Sequence, residues 1–289
     1  MKTRTYIYGI LAPVVAAVLL SCNRNSGMEV QLGIASVTPE QLSAKSVISG
    51  DEFPEGSGIG LSLFKDSGAE EPYGTGNVRY ALGESGWTAD QPIVMSDGTA
   101  GYLYGYYPYA AGTDIREIAV SSSVGGDDVM YAAQQDPVEP AKASSVKLTM
   151  KHALSFIGVK VRKGSYIGSG QLTALSLEGD GIACSGTLDA VTGVITPGSA
   201  EAFACSPDVG IDAAGKIFEC LIVPAVVSDA RQTVTFGCTI DGVKKSLKLE
   251  GDNGVKVASG IASTITITVN DNGLEVSSGA LPGFSGETW

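Results

Sequence analysis

The chain has few residues that could carry out catalysis. Its 289 residues include a single histidine, His152, whereas a histidine base or a multi-histidine metal site needs partners. His152 lies within a strand-like segment, so we expect a hydrogen-bonded structural histidine. No Gly-x-Ser-x-Gly segment places a serine on the sharp turn that a nucleophile needs. These residue types favour a protein that is not an enzyme.

Acidic and thiol side chains give no clear metal site. Asp51-Glu52 and Asp127-Asp128 lack the Asp-x-Asp-x-Asp-Gly spacing that wraps calcium, so we expect solvated loops there. The cysteines of the second half show no Cys-x-x-Cys pair, which makes zinc improbable. They could be buried thiols or disulfide partners, and the sequence leaves both open: Cys184, Cys205, Cys220 and Cys238. We expect no metal and no cofactor.

The overall composition excludes two broad classes. Lys and Arg number 19 against 31 Asp and Glu, which gives a net charge of −12 and a pI near 4.5. A nucleic-acid partner needs a basic face and is therefore not expected. Hydrophobic residues make up 44% of the chain, which argues against disorder.

The first 21 residues are typical of a lipoprotein signal peptide. Lys2 and Arg4 precede an apolar stretch from Ile7 to Leu20, shorter than the roughly 20 residues that span a bilayer. The stretch ends in Leu-Leu-Ser-Cys, which resembles a bacterial lipobox. That resemblance implies cleavage before Cys22 and acylation of this cysteine. Several acyl chains would anchor the protein stably in a membrane.

Beyond residue 30 the hydrophobic period is two, which predicts strands. Asp-Gly and Asn-Gly turns between the alternating segments favour antiparallel sandwiches. The two prolines within 136–140 mark a domain boundary, with an N-terminal β-domain over 22–140 and a C-terminal one over 141–289. The predicted strands are Val30–Val37, Gly58–Phe64, Val78–Leu82, Leu103–Tyr107, Lys147–Val161, Leu172–Leu177, Ile217–Pro224, Gln232–Ile240, Ser246–Glu250 and Thr264–Val269.

Four segments resemble the fimbrillin family, the type V pilins of Gram-negative gut and oral bacteria, and occur in that family's order. Tyr102–Tyr109 resembles the Y-x-x-Y-Y-P strand, and Asp128–Ala132 resembles the D-L-x-Y-A segment. Leu148–Ser155 with Val159–Val161 resembles the L-x-F-x-H-x-L-S/A-x-V-x-V signature. Thr266–Asn270 with a late Trp289 matches the family's end.

The resemblance implies two transthyretin-like antiparallel β-sandwich domains in tandem and a structural role. Family members are exported as lipoproteins to the outer-membrane surface, where a trypsin-like protease removes the first strand. The groove left behind accepts a strand from another subunit, which builds a fibre. An open sheet edge favours such strand addition, because its backbone groups are unpaired.

The resemblance also places the processing site. Val30–Val37 would be the removable strand and Ile59–Phe64 the next core strand. Lys45 is the basic residue between them, so cleavage at Lys45–Ser46 is expected, although the family usually has arginine there. The tail Ser277–Trp289 is a candidate donor strand or the last strand of the sandwich.

Two other functions stay open at this point. Tyr104 and Tyr107 could form a platform on which sugars stack, as in a monomeric surface lipoprotein that binds carbohydrate; half-buried sandwich residues are the alternative. A secreted β-sandwich hydrolase would need a carboxylate pair in a cleft. The sequence also leaves open a stalk, tip or anchor role, and any host or bacterial surface ligand.

Overall fold

The structure, a computed structural model, describes residues 29–40, 53–96, 98–133, 136–198, 202–228 and 230–278. Its regular structure is β, apart from short 3-10 turns at Pro140–Ser145 and Gly251–Asn253. In the part of the chain described, no helix is long and apolar enough to cross a membrane.

Within the described residues, eleven strands precede residue 153. They are β1 Val30–Gln31, β2 Ile34–Pro39, β3 Gly58–Phe64, β4 Val78–Gly83, β5 Gly86–Thr88, β6 Val94–Met95, β7 Tyr102–Tyr107, β8 Ile118–Ser121, β9 Ser123–Val124, β10 Met130–Ala133 and β11 Val146–His152.

The remaining strands follow to residue 278. They are β12 Ser155–Lys163, β13 Gln171–Glu178, β14 Ile182–Ala183, β15 Ser185–Asp189, β16 Val194–Pro197, β17 Phe203–Cys205, β18 Val209–Gly210, β19 Lys216–Pro224, β20 Arg231–Gln232, β21 Val234–Ile240, β22 Val243–Leu249, β23 Val255–Lys256, β24 Ala262–Asn270 and β25 Gly273–Ser278.

The first half of the chain forms a closed barrel with the strand order β10-β11-β2-β5-β4-β3-β7. Alternation along each strand fills its interior, as β11 shows: Leu148 and Met150 are buried while Lys147 and Lys151 are exposed. Closing a sheet on itself removes its free edges. Each barrel strand is therefore needed to keep its neighbours paired.

The second half forms a sandwich of two facing sheets. One has the order β14-β19-β12-β24-β25 and the other the order β17-β13-β21-β22. The alternation read from the sequence is confirmed in β21, where Val234, Phe236, Cys238 and Ile240 all point into the shared core. The predicted strand over 147–161 is two strands, β11 and β12, separated by Ala153 and Leu154.

A third apolar cluster joins the two halves. Tyr104 and Tyr106 of the barrel pack in it with Phe156 and Leu221 of the sandwich. The segment between β7 and β10 crosses the junction, because β8 pairs with β15 and β9 pairs with β19. The barrel and sandwich are thus connected by shared core and by shared sheets.

The all-β class is confirmed, although two strand pairs are parallel. Most neighbouring strands are antiparallel, but β2 pairs with β11, and β12 with β24, in parallel. The domain division at residues 140 and 141 stays a prediction; the hydrogen bonding itself groups Val146–His152 with the strands of the first half.

Candidate functional site

The strand β2 completes the barrel wall. It lies parallel to β11, with Ile34 opposite Val146 and Pro39 opposite Met150, and it pairs with β5 where Ile34 faces Trp87. Just outside the strand, the Leu32 N–H donates to the Ile93 carbonyl over 2.8 Å. Without this strand, β11 and β5 would face each other across an open gap.

Apolar side chains hold this strand in place. Leu32, Ile34 and Val37 are 1%, 7% and 6% exposed and belong to the barrel core. Burying an aliphatic side chain contributes about 1.5–3 kcal/mol, so the three together contribute roughly 5–9 kcal/mol. That amount is comparable to the net stability of a whole domain, about 5–15 kcal/mol. Loss of this strand would therefore strongly destabilise the barrel.

Gly33 permits the close seating of the strand. Its N–H donates to the Ala143 carbonyl and its own carbonyl accepts from the Val146 N–H, both over 2.8 Å. A Cβ at this position would collide with the backbone carbonyl oxygen of Ser144. The absence of a side chain therefore lets the backbone lie against the 3-10 turn Pro140–Ser145.

The segment that follows the strand contains the expected processing site. Lys45 and Ser46 lie outside the described residues, as does Cys22. The described chain resumes at Phe53, which is 5% exposed and packs edge-on against Trp87 and Tyr107, with ring centroids 5.7 and 5.0 Å away. Phe53 thus fixes the chain to the barrel on the far side of Lys45.

The tyrosine cluster of β7 is largely built into the core. Tyr104 is 4% exposed and its hydroxyl donates to the Ser67 carbonyl over 2.8 Å, while its ring packs against Phe64. Tyr107 is half-buried against Phe53, and burial raises the pKa of its hydroxyl. The structure gives both rings packing partners, and carbohydrate binding through them stays a prediction.

His152 forms a buried pair with Asp128. The His152 Nδ1 and a carboxylate oxygen of Asp128 are hydrogen-bonded, and both side chains are almost fully enclosed. Burial is the largest influence on the Asp128 carboxyl and raises its pKa, although the contact with His152 opposes this. Asp128 Oδ1 has no hydrogen-bond partner among the residues that the structure describes.

This pair corrects one expectation and supports another. The structural role expected for His152 is observed, but Asp128 is not in a solvated loop, as the sequence analysis expected; only Asp127 is exposed. The alternation in the sequence could have predicted the burial of Asp128, since it lies two residues before the buried Met130 and four before the buried Ala132. The pair connects two of the family-like motifs, Asp128–Ala132 and Leu148–Ser155. Their strands are neighbours in the barrel, with Met130 opposite His152.

Among the described residues, the thiols and carboxylates form no cluster that could hold a metal ion. Cys205, Cys220 and Cys238 are thiols without disulfide partners, and burial raises the pKa of Cys220 to about 12 and that of Cys238 to about 11. Thiols with such pKa values react slowly. Among the described residues, no three His, Cys, Asp or Glu side chains come together as metal ligands would.

Fold and site together define a class: an all-β protein in which the strand β2 lies between β11 and β5 and closes a barrel. The fimbrillin-like family matches residues 46–281, and the chain belongs to that family. This family is of a structural, fimbrial type, which gives the protein a fimbrial role at the cell surface.

Solved structures share the fold. A candidate cell adhesion protein from Bacteroides uniformis is 20% identical with a TM-score of 0.62, covering 87% of this chain and 96% of its own. Another from Bacteroides ovatus is 16% identical with a TM-score of 0.61, covering 90% and 97%. A third from Bacteroides eggerthii is 12% identical with a TM-score of 0.55, covering 93% and 98%. A search among curated proteins finds no match.

Proposed function

We propose that this protein is a subunit or tip adhesin of a cell-surface fimbria that assembles by strand exchange. It is exported as a lipoprotein acylated at Cys22 and carried to the outer-membrane surface. Cleavage at Lys45–Ser46 separates β2 from the rest of the chain, and a strand of another fimbrillin subunit takes its place.

The position of β2 carries this proposal. It is the N-terminal strand of a closed barrel, it seals the gap between β11 and β5, and Lys45 lies on the connection to the next strand. Its release would expose the sites of Leu32, Ile34 and Val37 together with unpaired backbone groups of β11. A donated strand with the same alternation would satisfy both at once.

Cleavage alone should leave the fold intact, because the cut strand stays bound by its apolar contacts. The roughly 5–9 kcal/mol of apolar burial keeps a cut strand bound until a competitor arrives. A strand from a second subunit gains the same contacts, so the exchange conserves most of the interactions. Partner binding, rather than proteolysis, then drives the assembly.

Purified protein treated with a lysine-specific protease tests the proposal. We expect ladders that resist SDS until boiled, and a trimmed chain that begins at Ser46. Lys45→Gln should abolish the ladder, while Lys142→Gln, at an exposed lysine of the 3-10 turn, should leave it unchanged.

A competing peptide distinguishes strand exchange from other modes of association between subunits. An excess of a peptide with the sequence of residues 29–40 should block ladder formation, because it refills the gap. The same peptide with Ile34→Asp and Val37→Asp should not block it. Ladders that form equally well with the unmodified peptide would overturn the strand-exchange mechanism.

A further inference from the structure

A loop displays aliphatic side chains at the end of the sandwich that lies away from the junction with the barrel. Ile167 is 89% exposed at the tip of the loop between β12 and β13, and Val243 at the start of β22 is 54% exposed. The two segments are bonded to each other, because the Asp241 carboxylate accepts hydrogen bonds from the Tyr166 hydroxyl and the Gly170 N–H, both over 3.0 Å. Ile167 and Val243 therefore belong to one apolar surface.

Neighbouring turns hold this loop in one shape. The Asn270 side-chain oxygen accepts from the Ser165 N–H over 2.9 Å, and the Ile167 N–H itself donates to the Asp271 carboxylate over 3.0 Å. A partner that binds Ile167 would have to order little additional chain. Such pre-organisation lowers the cost of association.

An apolar groove opens in the sandwich near its junction with the barrel. Its volume is about 400 Å³, in the range of pockets that hold ligands. Val227 and Val194 on the groove are 99% and 53% exposed. The other apolar residues that line it are Ile195, Pro224, Val226 and Ala258.

The strand pairing places the loop and the groove at opposite ends of the sandwich. β19 is antiparallel to β12, with Ile222 opposite Ser155, the first residue of β12. Pro224 of the groove therefore lies beyond the start of β12, whereas Ile167 follows its end. A strand of nine residues spans about 30 Å, so Ile167 cannot reach the groove of its own chain.

Lysine side chains surround the loop. The Lys163 ammonium donates to a carbonyl of the loop, and the Lys245 ammonium lies over an aromatic ring of the loop, 5.4 Å from its centroid. Lys244, between β22 residues that follow the turn, is exposed. The carboxylates of Asp241 and Asp271 already accept hydrogen bonds from the loop, so the lysines supply the donors available to a partner.

Exposed carboxylates border the groove. Glu178 and Asp180 lie at the end of β13, where both are exposed. The next residue, Gly181, lies against the groove, because a Cβ at this position would be 3.7 Å from a side-chain carbon of Val226. Opposite charges on two surfaces favour and orient their association, and the loop and the groove have this complementarity.

We propose that the loop of one molecule, with Ile167 and Val243, binds in the groove of a second copy of this chain. The contact covers Val194 and Val227 and brings the lysines around the loop toward Glu178 and its neighbouring carboxylate. Because the loop and the groove are different surfaces, each bound molecule still has one of them free, and the contact repeats along an open row of molecules. It needs no release of β2, so it is separate from the strand exchange proposed above.

Sedimentation of the full-length Lys45→Gln protein tests this contact, because that variant keeps β2 in its own chain. We expect oligomers that grow with protein concentration up to about 1 mM, the range of weak contacts, and that shrink at high salt, which screens the charge pairs. Ile167→Asp and Val227→Asp should each weaken the association by about tenfold or more. The matched control is Val94→Asp, at a barrel valine that is 37% exposed, which should change nothing.

A mixture of the two variants distinguishes this contact from other modes of association. Ile167→Asp protein keeps its groove and Val227→Asp protein keeps its loop, so together they should form one-to-one dimers that grow no further. A monomeric Lys45→Gln protein at the highest concentration, or association that survives either substitution, would overturn the proposal. So would a mixture that stays monomeric while both variants have native circular dichroism. With Lys45 restored, both variants should still form the boiling-sensitive ladder, which separates this contact from strand exchange.

Discussion

The buried pair between His152 and Asp128 makes a quantitative prediction about stability. His152→Leu removes the partner of a carboxylate whose other oxygen, Oδ1, already has no partner among the described residues. Removing one member of a buried, hydrogen-bonded carboxyl–imidazole pair costs about 3–5 kcal/mol, because the remaining carboxyl group stays buried without a partner. We expect a loss of that size in the free energy of unfolding at pH 7, measured by urea titration followed by circular dichroism.

The raised pKa of Asp128 determines how the stability of the protein changes with pH. Burial raises the pKa of Asp128 in the folded protein, so the folded state retains a proton that the unfolded state releases. Stability from this group is then fully present below its ordinary pKa, about 3.9, and is lost as pH rises through the raised value. In His152→Leu, nothing opposes the rise in the pKa of Asp128 that burial causes. The free energy of unfolding of this variant should therefore fall more than that of the parent between pH 4 and 7, by at most about 1.4 kcal/mol per pH unit.

A double variant completes the test. Asp128→Leu with His152→Leu should recover most of the loss, since apolar replacement of a whole buried pair is often neutral or stabilising. A single-variant cost below about 1 kcal/mol, well under the roughly 3–5 kcal/mol typical of a broken buried pair, would refute the reasoning. So would a double variant no more stable than His152→Leu.

The remaining predictions concern packing and thiol reactivity. Tyr104→Phe should lower the free energy of unfolding by about 0.5–1.5 kcal/mol through its lost hydrogen bond, and Tyr104→Ala by about 3–5 kcal/mol, both measured by urea unfolding. Loss of glycan binding by a folded Tyr104→Phe protein would instead favour a sugar site. Gly33→Ala should lower the melting temperature because its Cβ meets backbone, whereas Gly83→Ala, where a Cβ meets nothing within 4 Å, should not. Iodoacetamide at pH 8 should label the half-exposed Cys205 before the buried Cys220 in peptide maps of native protein; the reverse order would contradict the burial argument.

Alternation in the sequence predicts much of the fold, because a strand with one buried face must place apolar residues at every second position. Gly58–Phe64 has the same bounds in the structure as in the prediction, and β21 buries the expected face. The family resemblance, drawn from motifs near Tyr102–Tyr109 and His152, is confirmed by the match over residues 46–281.

What the sequence missed depends on long-range pairing. Period-two patterns carry no information about strand direction, so the parallel pairing of β2 with β11 could not be read from either segment. β8 and β9 are short strands that exist because β15 and β19 lie beside them. The burial of Asp128 in its loop was missed because its partner, His152, is 24 residues away in the sequence.

The most direct test of the proposed function is the state of the protein on the cells that produce it. Material sheared from the cell surface is run with and without boiling, immunoblotted, and its boiled band sequenced from the N-terminus. A boiling-sensitive ladder that collapses to a monomer beginning at Ser46 is the predicted result. A single monomer band that still begins at lipidated Cys22 would contradict assembly by release of β2.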